Sequence, residues 1–484
     1  MTPLKAAAVC LLALNTLWAG DEFGVNQTSQ LDQRRSAIAS LADGSIAVTW
    51  ENRSTGTSSI WWRHFSADGT PISDEKEVFE AEGSDQSDPV IAGLSDGGFV
   101  VAWSRQGGDS DGYAVAFQRF DAAGQPASET PRQANVTEAG PQFHPQVASL
   151  VNGGFVLVWV AQNTDQDQDV FYRRVAGDGT FVDPAEIAAN SLGSNSVTEG
   201  EQGAPRVAGM ADGGYVVAYE DRETDRVLGV RFDASGNAMA PANSPEGARQ
   251  FVVGQSTDFS YSDPAVAGLS TGGFAIAMTV ERPGVPESRR VKARAYGDSV
   301  GDEFVAGSHT GRWERPSMTA LPGGDFLIAW QAVDEGEDSG LGSFSLWVQR
   351  FGPDGTARNP AMMLNQYNQS EQRWVTLAPV TGGGFGAAWQ SFGEDGDGYG
   401  VYGRVFPGDP AIPGKLYITR SGGLGQIQFN ISFIGMAGRT HELQSTSDFS
   451  EWNTVYTTTP VDGKFDYTEN GADVAYRFFR VVTQ

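Results

Sequence analysis

Apolar and polar positions follow one pattern seven times along this chain. A short apolar stretch comes first, at 37–41, 90–94, 147–150, 207–210, 265–269, 318–321 and 375–380. A glycine-centred turn follows each stretch, as at Asp43-Gly44, Gly97-Gly98 and Gly153-Gly154. Such turns need positive φ, which glycine reaches without a Cβ clash. A second apolar run then ends on a large side chain: Trp50, Trp103, Trp159, Tyr219, Met278, Trp330 and Trp389. These ends are 53, 56, 60, 59, 52 and 59 residues apart. After a variable polar loop comes a third run, at 60–65, 115–120, 170–175, 228–232, 291–296, 346–351 and 401–406, and then a weaker fourth.

The second runs, such as Phe99-Val100-Val101-Ala102-Trp103, are apolar at nearly every position. A strand with one wet face alternates, so a continuous run predicts a strand covered on both faces. Four short antiparallel strands per unit, in seven units, predict an all-β, seven-bladed β-propeller. The last unit stops at its third strand near Phe406. The segment Glu22-Phe23-Gly24-Val25-Asn26-Gln27 reads as a missing fourth strand, so the N-terminus is expected to complete the last blade and remove an open edge. An open β-solenoid is the rival, and it would leave that segment unpaired.

Residues 1–19 read as a secretory signal, with Lys5 ahead of an apolar run and small residues at Ala19 and Gly20. The propeller is expected over 20–406 and a Pro/Gly linker over 407–414. A small β-sandwich is expected over 415–484, where apolar and polar residues alternate, as in 426–432. The only cysteine, Cys10, lies in the signal, so the exported chain has no disulfide and no thiol nucleophile.

The phrase Gly97-Gly98-Phe99-Val100-Val101-Ala102-Trp103, with Gln118-Arg119-Phe120-Asp121 after it, resembles a repeat of exported bacterial proteins. That repeat occurs in large calcium-associated extracellular proteins and adhesins. The resemblance covers about residues 22–406 and implies a propeller working outside the cell. The tail, with 441–448, Trp452 and 478–482, looks like a small C-terminal module of many exported bacterial proteins. The sialidase signature Ser-x-Asp-x-Gly-x-x-Trp is absent.

Charge narrows the partners. Sixty acids against 33 bases give −27, which repels phosphate backbones and excludes nucleic acid as a natural partner. The acidic loops at 107–113, 165–169, 334–338 and 394–399 place Asp at alternating positions beside glycine. Asp109, Asp111, Asp395 and Asp397 are therefore candidate Ca2+ ligands, because calcium takes six to eight oxygens; good turn-forming residues would give the same pattern. The letters Gly-x-Ser-x-Gly at 108–112 fall in a loop between strands, without a histidine partner, so they make no nucleophile elbow. The four histidines, His64, His144, His441 and His309, form no metal triad by spacing.

One segment departs from the acidic background. Residues 281–315 carry seven bases and six acids, a net +1. Arg289 and Arg290 are expected in the variable loop of blade five. Arg312, Trp313 and Arg315 are expected in the junction into blade six, beside it. Arginines with one aromatic suit a carboxylated or sulfated ligand; internal salt bridging with the abundant acids is the competing expectation. Trp61, Trp347 and Trp374 are further irregular aromatics. The sequence thus predicts a secreted, cell-surface or periplasmic, monomeric, non-catalytic propeller that binds an extracellular glycan or protein, with Ca2+ as a candidate stabiliser of its acidic loops, and carries no membrane span. Two alternatives stand beside it: a polysaccharide hydrolase or lyase with acids in the channel, and a structural matrix protein.

Overall fold

The glycine turns order each sheet. In blade two the turn is closed by Leu94 N–H to Gly98 O at 2.8 Å and Gly97 N–H to Leu94 O at 3.1 Å. Its two glycines serve different needs. Gly97 has φ 91°, in the left-handed region. At Gly98 a Cβ would lie 2.2 Å from the carbonyl oxygen of Phe120, so the third strand's chain could not approach.

The computed structural model describes residues 20–406 apart from loop segments at 54–55, 82, 109–110, 163–166, 192–199, 240–248, 255, 298, 308–310, 334–343 and 381–382. Beyond these it describes 416–421, 428–434, 440–446, 451–459, 464–470 and 478–483. The chain forms two compact units, with Gly20–Gly408 as one and Asp409–Gln484 in the other.

The first unit is a β-propeller. Among the described residues seven antiparallel sheets follow one another, and the first full-length strand of each packs on that of the next, which makes it the inner one. These inner strands are Asp32–Ser40, Gln86–Gly93, Gln142–Ser149, Gln202–Gly209, Ser260–Gly268, Arg312–Ala320 and Gln372–Val380, and each packs on the next in cyclic order. The second strands are buried at every position over most of their length, as over the first six residues of Phe99–Gln106. The fourth sheet carries an additional strand, Gln250–Gly254, paired with Arg226–Phe232. Closure is as the sequence predicts: Phe23–Gly24 pairs with Tyr402 and Gly403, so the N-terminal segment supplies the outer strand of blade seven.

The core lies between blades. Trp62 of blade one packs 4.7 Å from Phe99 and 5.5 Å from Phe120 of blade two. Between blades seven and one, Ala378, Val380, Ala388 and Val401 share a cluster with Ile38, Val48, Trp50 and Val25. Phe99 stacks on Phe120, Tyr215 on Phe232 and Phe385 on Phe406, at 4.8, 4.5 and 4.5 Å. The recurrent third-strand arginines are structural. Arg119, Arg231 and Arg350 hold Asp96, Asp212 and Asp325 beside the glycine turns at 2.8, 2.7 and 2.7 Å. His64, at the same repeat position, bonds Ser45 Oγ at 2.6 Å instead.

The second unit is a small β-sandwich. One sheet orders Leu416–Ser421, Gln428–Ile434 and Lys464–Asn470; the other orders Asn453–Thr458, His441–Thr446 and Phe478–Thr483. Ile431 and Phe465 of the first meet Leu443 of the second in a buried core. Among the described residues no helix is long and apolar enough to cross a membrane.

Candidate functional site

Near its start, every inner strand contains a β-bulge, where its register against the second strand shifts. Within each bulge one non-glycine residue has positive φ. The seven are Arg35, Asp88, His144, Ala204, Asp263, Arg315 and Trp374, with φ between 46° and 61°. Bulges of this kind re-aim a side chain. L-residues seldom adopt this backbone, and it persists where the surroundings impose it. Here the surroundings are the preceding blade. At five of the seven junctions the side chain that follows the second-strand Trp, or its equivalent, accepts the bulge N–H: Ser104 from His144 at 3.2 Å, Glu220 from Asp263 at 2.6 Å, Thr279 from Arg315 at 3.0 Å, Gln331 from Trp374 at 3.3 Å and Gln390 from Arg35 at 3.2 Å.

The result is a ring of seven equivalent positions on the inner strands. It stands at the end that faces the blade junctions, away from the glycine turns. Its side chains contact one another across blades. Arg35 Nη1 forms an ion pair with Asp88 Oδ1. Asp88 Oδ2 lies 3.9 Å from His144 Nε2. Arg315 Nη1 lies 3.9 Å from Asp263 Oδ1, and the Arg315 guanidinium sits 4.1 Å from the centre of the Trp374 ring. Burial pushes the His144 imidazole down to about 4, helped by the charges of Arg35, Arg206 and Arg222, so it is neutral near pH 7. Burial raises the Asp263 carboxyl despite Arg315 and Arg206.

The expected arginine cluster of blades five and six is brought together but is occupied internally. Arg289 and Arg290 lie in the regular strand Val285–Tyr296, and Arg312, Trp313 and Arg315 lie in the inner strand Arg312–Ala320, where a loop and a junction were expected. Arg289 Nε binds Glu281 at 2.5 Å, and its Nη1 binds Glu314. Arg290 Nη1 donates to the carbonyls of Glu287, Arg289 and Gly311 at 3.0, 2.7 and 2.6 Å, and its guanidinium lies 5.3 Å from the Trp313 ring. Arg312 opens its strand opposite Val333.

Trp313 is 2% exposed, so its face is closed to any ligand and it leaves the candidate set. The reason is positional. At most junctions a buried Asn–Gln pair joins the outer segment of one blade to the inner strand of the next: Asn26–Gln33, Asn135–Gln142, Asn190–Gln202 and Asn365–Gln372, at 3.1, 2.7, 2.9 and 3.4 Å. Ahead of blades five and six Tyr261 and Trp313 replace the glutamine, while Gly254 and Gly307 replace the asparagine. A Cβ at Gly254 would lie 2.3 Å from Tyr261 Cδ1, and one at Gly307 would lie 2.7 Å from Trp330 Cζ2. Arg315, two residues on, is the member of the cluster that reaches the ring.

Of the calcium candidates, Asp109 lies outside the described residues. Asp111 Oδ2 accepts from Gly140 N–H at 2.9 Å, and Asp397 Oδ2 accepts from Leu31 N–H at 3.2 Å. Asp395 Oδ1 accepts from Asp397 N–H at 3.2 Å. Beside it, burial pushes the Glu394 carboxyl up to about 7, with Glu22 and Asp395 adding to the effect. Among the described residues no group of three or more His, Cys, Asp or Glu side chains is placed to hold a metal ion.

Sequence reasoning missed most of the ring, although a signal was present. Five of the seven ring residues stand two positions after a recurrent glutamine, Gln33, Gln86, Gln142, Gln202 or Gln372, and five of the seven precede a proline, as in Asp88-Pro89 and Arg315-Pro316. No protein-family model matches the chain, and no curated protein matches it in sequence. Solved structures match it in fold. The polysaccharide lyase Uly1 aligns at 13% identity and a TM-score of 0.51, over 80% of this chain and 92% of its own. The α-L-arabinofuranosidase Arb93A from Fusarium graminearum aligns at 13% identity and 0.41, over 69% and 98%. The NanB sialidase from Streptococcus pneumoniae aligns at 9% and 0.43, over 79% and 70%. At these identities the likeness is one of fold, and the chain is an all-β propeller of that architecture.

Proposed function

We propose that this protein is a secreted, polysaccharide-active β-propeller that takes its glycan at the bulge ring of the inner strands. The observation that carries the reading is the ring itself. Seven equivalent backbone positions share one strained conformation, and six of them bear side chains with recognition chemistry. The scaffold is repeated while these side chains differ, which is how a site is placed on a repeat fold. Trp374 is 36% exposed and offers a platform for a sugar ring, unlike buried Trp313. The likeness to a polysaccharide lyase supports the scaffold; the ring residues support the glycan.

A second reading is cleavage of that glycan, favoured by the Asp88–His144 contact at 3.9 Å. A neutral imidazole accepts a proton. On a uronate chain His144 would take the proton from the carbon beside the carboxyl group while the glycosidic C–O bond at the next carbon breaks and the departing oxygen takes a proton from water, leaving an unsaturated sugar on one product.

A glycan array followed by titration of the best ligand tests the first reading: Trp374→Ala should weaken binding about tenfold, the order of one lost aromatic contact. Unchanged affinity in that variant, or no binding to any glycan, would remove the ring as the site. Ultraviolet detection of unsaturated product, absent in His144→Gln while binding persists, separates cleavage from recognition.

A further inference from the structure

Around the ring the side chains are not mixed at random. Five consecutive blades, from five through seven to two, present Asp263, Arg315, Trp374, Arg35 and Asp88. The order is symmetric about the tryptophan. Arg315 faces Asp263 at 3.9 Å, and Arg35 is paired with Asp88, so each arginine is held by a carboxylate on the side away from Trp374. Each also lies on the blade next to the indole, and Arg315 covers it at 4.1 Å.

We infer that this arc is a subsite for a carboxylated pyranose, a uronic acid residue of a polysaccharide; the inference rests on the glycan reading above. Trp374 would receive the C–H face of the sugar. The guanidinium forks of Arg315 and Arg35, aimed by Asp263 and Asp88, would take its carboxylate in two-pronged hydrogen bonds. The separation of 3.9 Å between Arg315 and Asp263 is longer than a hydrogen bond and leaves the guanidinium donors for a ligand. The backbone points the same way. Arg315, Trp374 and Arg35 have φ of 53°, 61° and 50°, where glycine would sit without strain. Bulky side chains are kept there against that preference.

The test is calorimetric titration of the full chain with oligouronates (oligogalacturonate and oligomannuronate) and with the same oligomers after reduction of their carboxyl groups. The expected result is at least tenfold tighter binding of an acidic form. Trp374→Gly, whose backbone suits φ 61°, should lose about tenfold toward both forms. Arg315→Gln and Arg35→Gln should abolish only the preference for the acid. Arg315→Lys and Arg35→Lys, which keep the charge without the fork, serve if the glutamine variants do not fold, and should lose part of that preference. Arg290→Gln, outside the ring, should change neither affinity. Equal binding of acidic and reduced oligomers, or binding of neutral glycans alone, overturns the uronate subsite and leaves the glycan reading standing. Failure to bind any glycan overturns both.

Discussion

The backbone N–H of Arg35, in blade one, donates to Oε1 of Gln390, in blade seven, at 3.2 Å. It is the same link that joins blades two and three through Ser104 and His144. The ring is therefore closed by a bond that four other junctions also use, beside the strand supplied by Phe23–Gly24. Gln390→Ala should cost ~1 kcal/mol, the usual worth of one hydrogen bond with a buried partner. Deleting residues 20–27 should cost several times more, because Val25 is fully buried and the third strand of blade seven becomes an open edge. Denaturant midpoints of the two variants check this order; equal losses would mean that the N-terminal strand adds nothing to closure.

Ala204 is the ring position without recognition chemistry, and its φ is 46°. A left-handed residue with a Cβ costs ~1–2 kcal/mol relative to one without. Glycine also frees the unfolded chain, which offsets part of the gain. Ala204→Gly is expected to raise stability by ~1 kcal/mol, read as a higher melting temperature, with glycan affinity unchanged. A lower melting temperature would show that this backbone carries no strain.

Gly254 and Tyr261 exchange volume across the junction into blade five. A methyl group at Gly254 would meet Tyr261 Cδ1 at 2.3 Å and Met278 Sδ at 2.8 Å. Gly254→Ala should therefore destabilise by ~1–3 kcal/mol, as overpacked cores do. Tyr261→Gln, which copies the residue used at other junctions, should make the second change cheaper than it is alone. A double-mutant cycle measures that coupling; strict additivity would refute the exchange.

His144 makes stability depend on pH. Its folded-state pKa is pushed down to about 4 from an ordinary 6.5. As pH falls below 6.5 the unfolded chain takes up the proton first, so this contribution is complete above 6.5, declines toward 4 and is level below. His144→Gln should flatten that part of the profile. Chemical denaturation of both proteins between pH 4 and 7 checks it; parallel curves would exclude His144 as the cause.

Much of this architecture can be read along the chain because strands announce themselves locally. Phe99-Val100-Val101-Ala102-Trp103 has no polar face, and Gly97 and Gly98 mark the turn before it. Repetition multiplies a weak local signal by seven, and the incomplete last unit points to the segment 22–27 as the closing strand, of which Phe23–Gly24 pairs with blade seven. The excess of bases at 281–315 was also visible, and Arg290 and Trp313 do meet at 5.3 Å. Their roles were not visible. Trp313 is closed in by its cluster with Trp330 and Phe326 of the same blade and Val291 of the preceding one, and whether Arg289 is free depends on Glu281 and Glu314. Composition counts such charges without saying which are already paired.

The sequence by itself determined the repeated strands, their turns and the circular closure, because each rests on the side chains of one short segment. Only the tertiary structure decided the site. Arg35 and Trp374 are 339 residues apart in the chain and belong to adjacent blades. They share one ring because closure brings the first inner strand beside the last, and because a bulge on each turns the backbone into the left-handed region. At Arg35 and Trp374 that backbone meets an acceptor on the neighbouring blade, Gln390 and Gln331, a partner that no local pattern can specify.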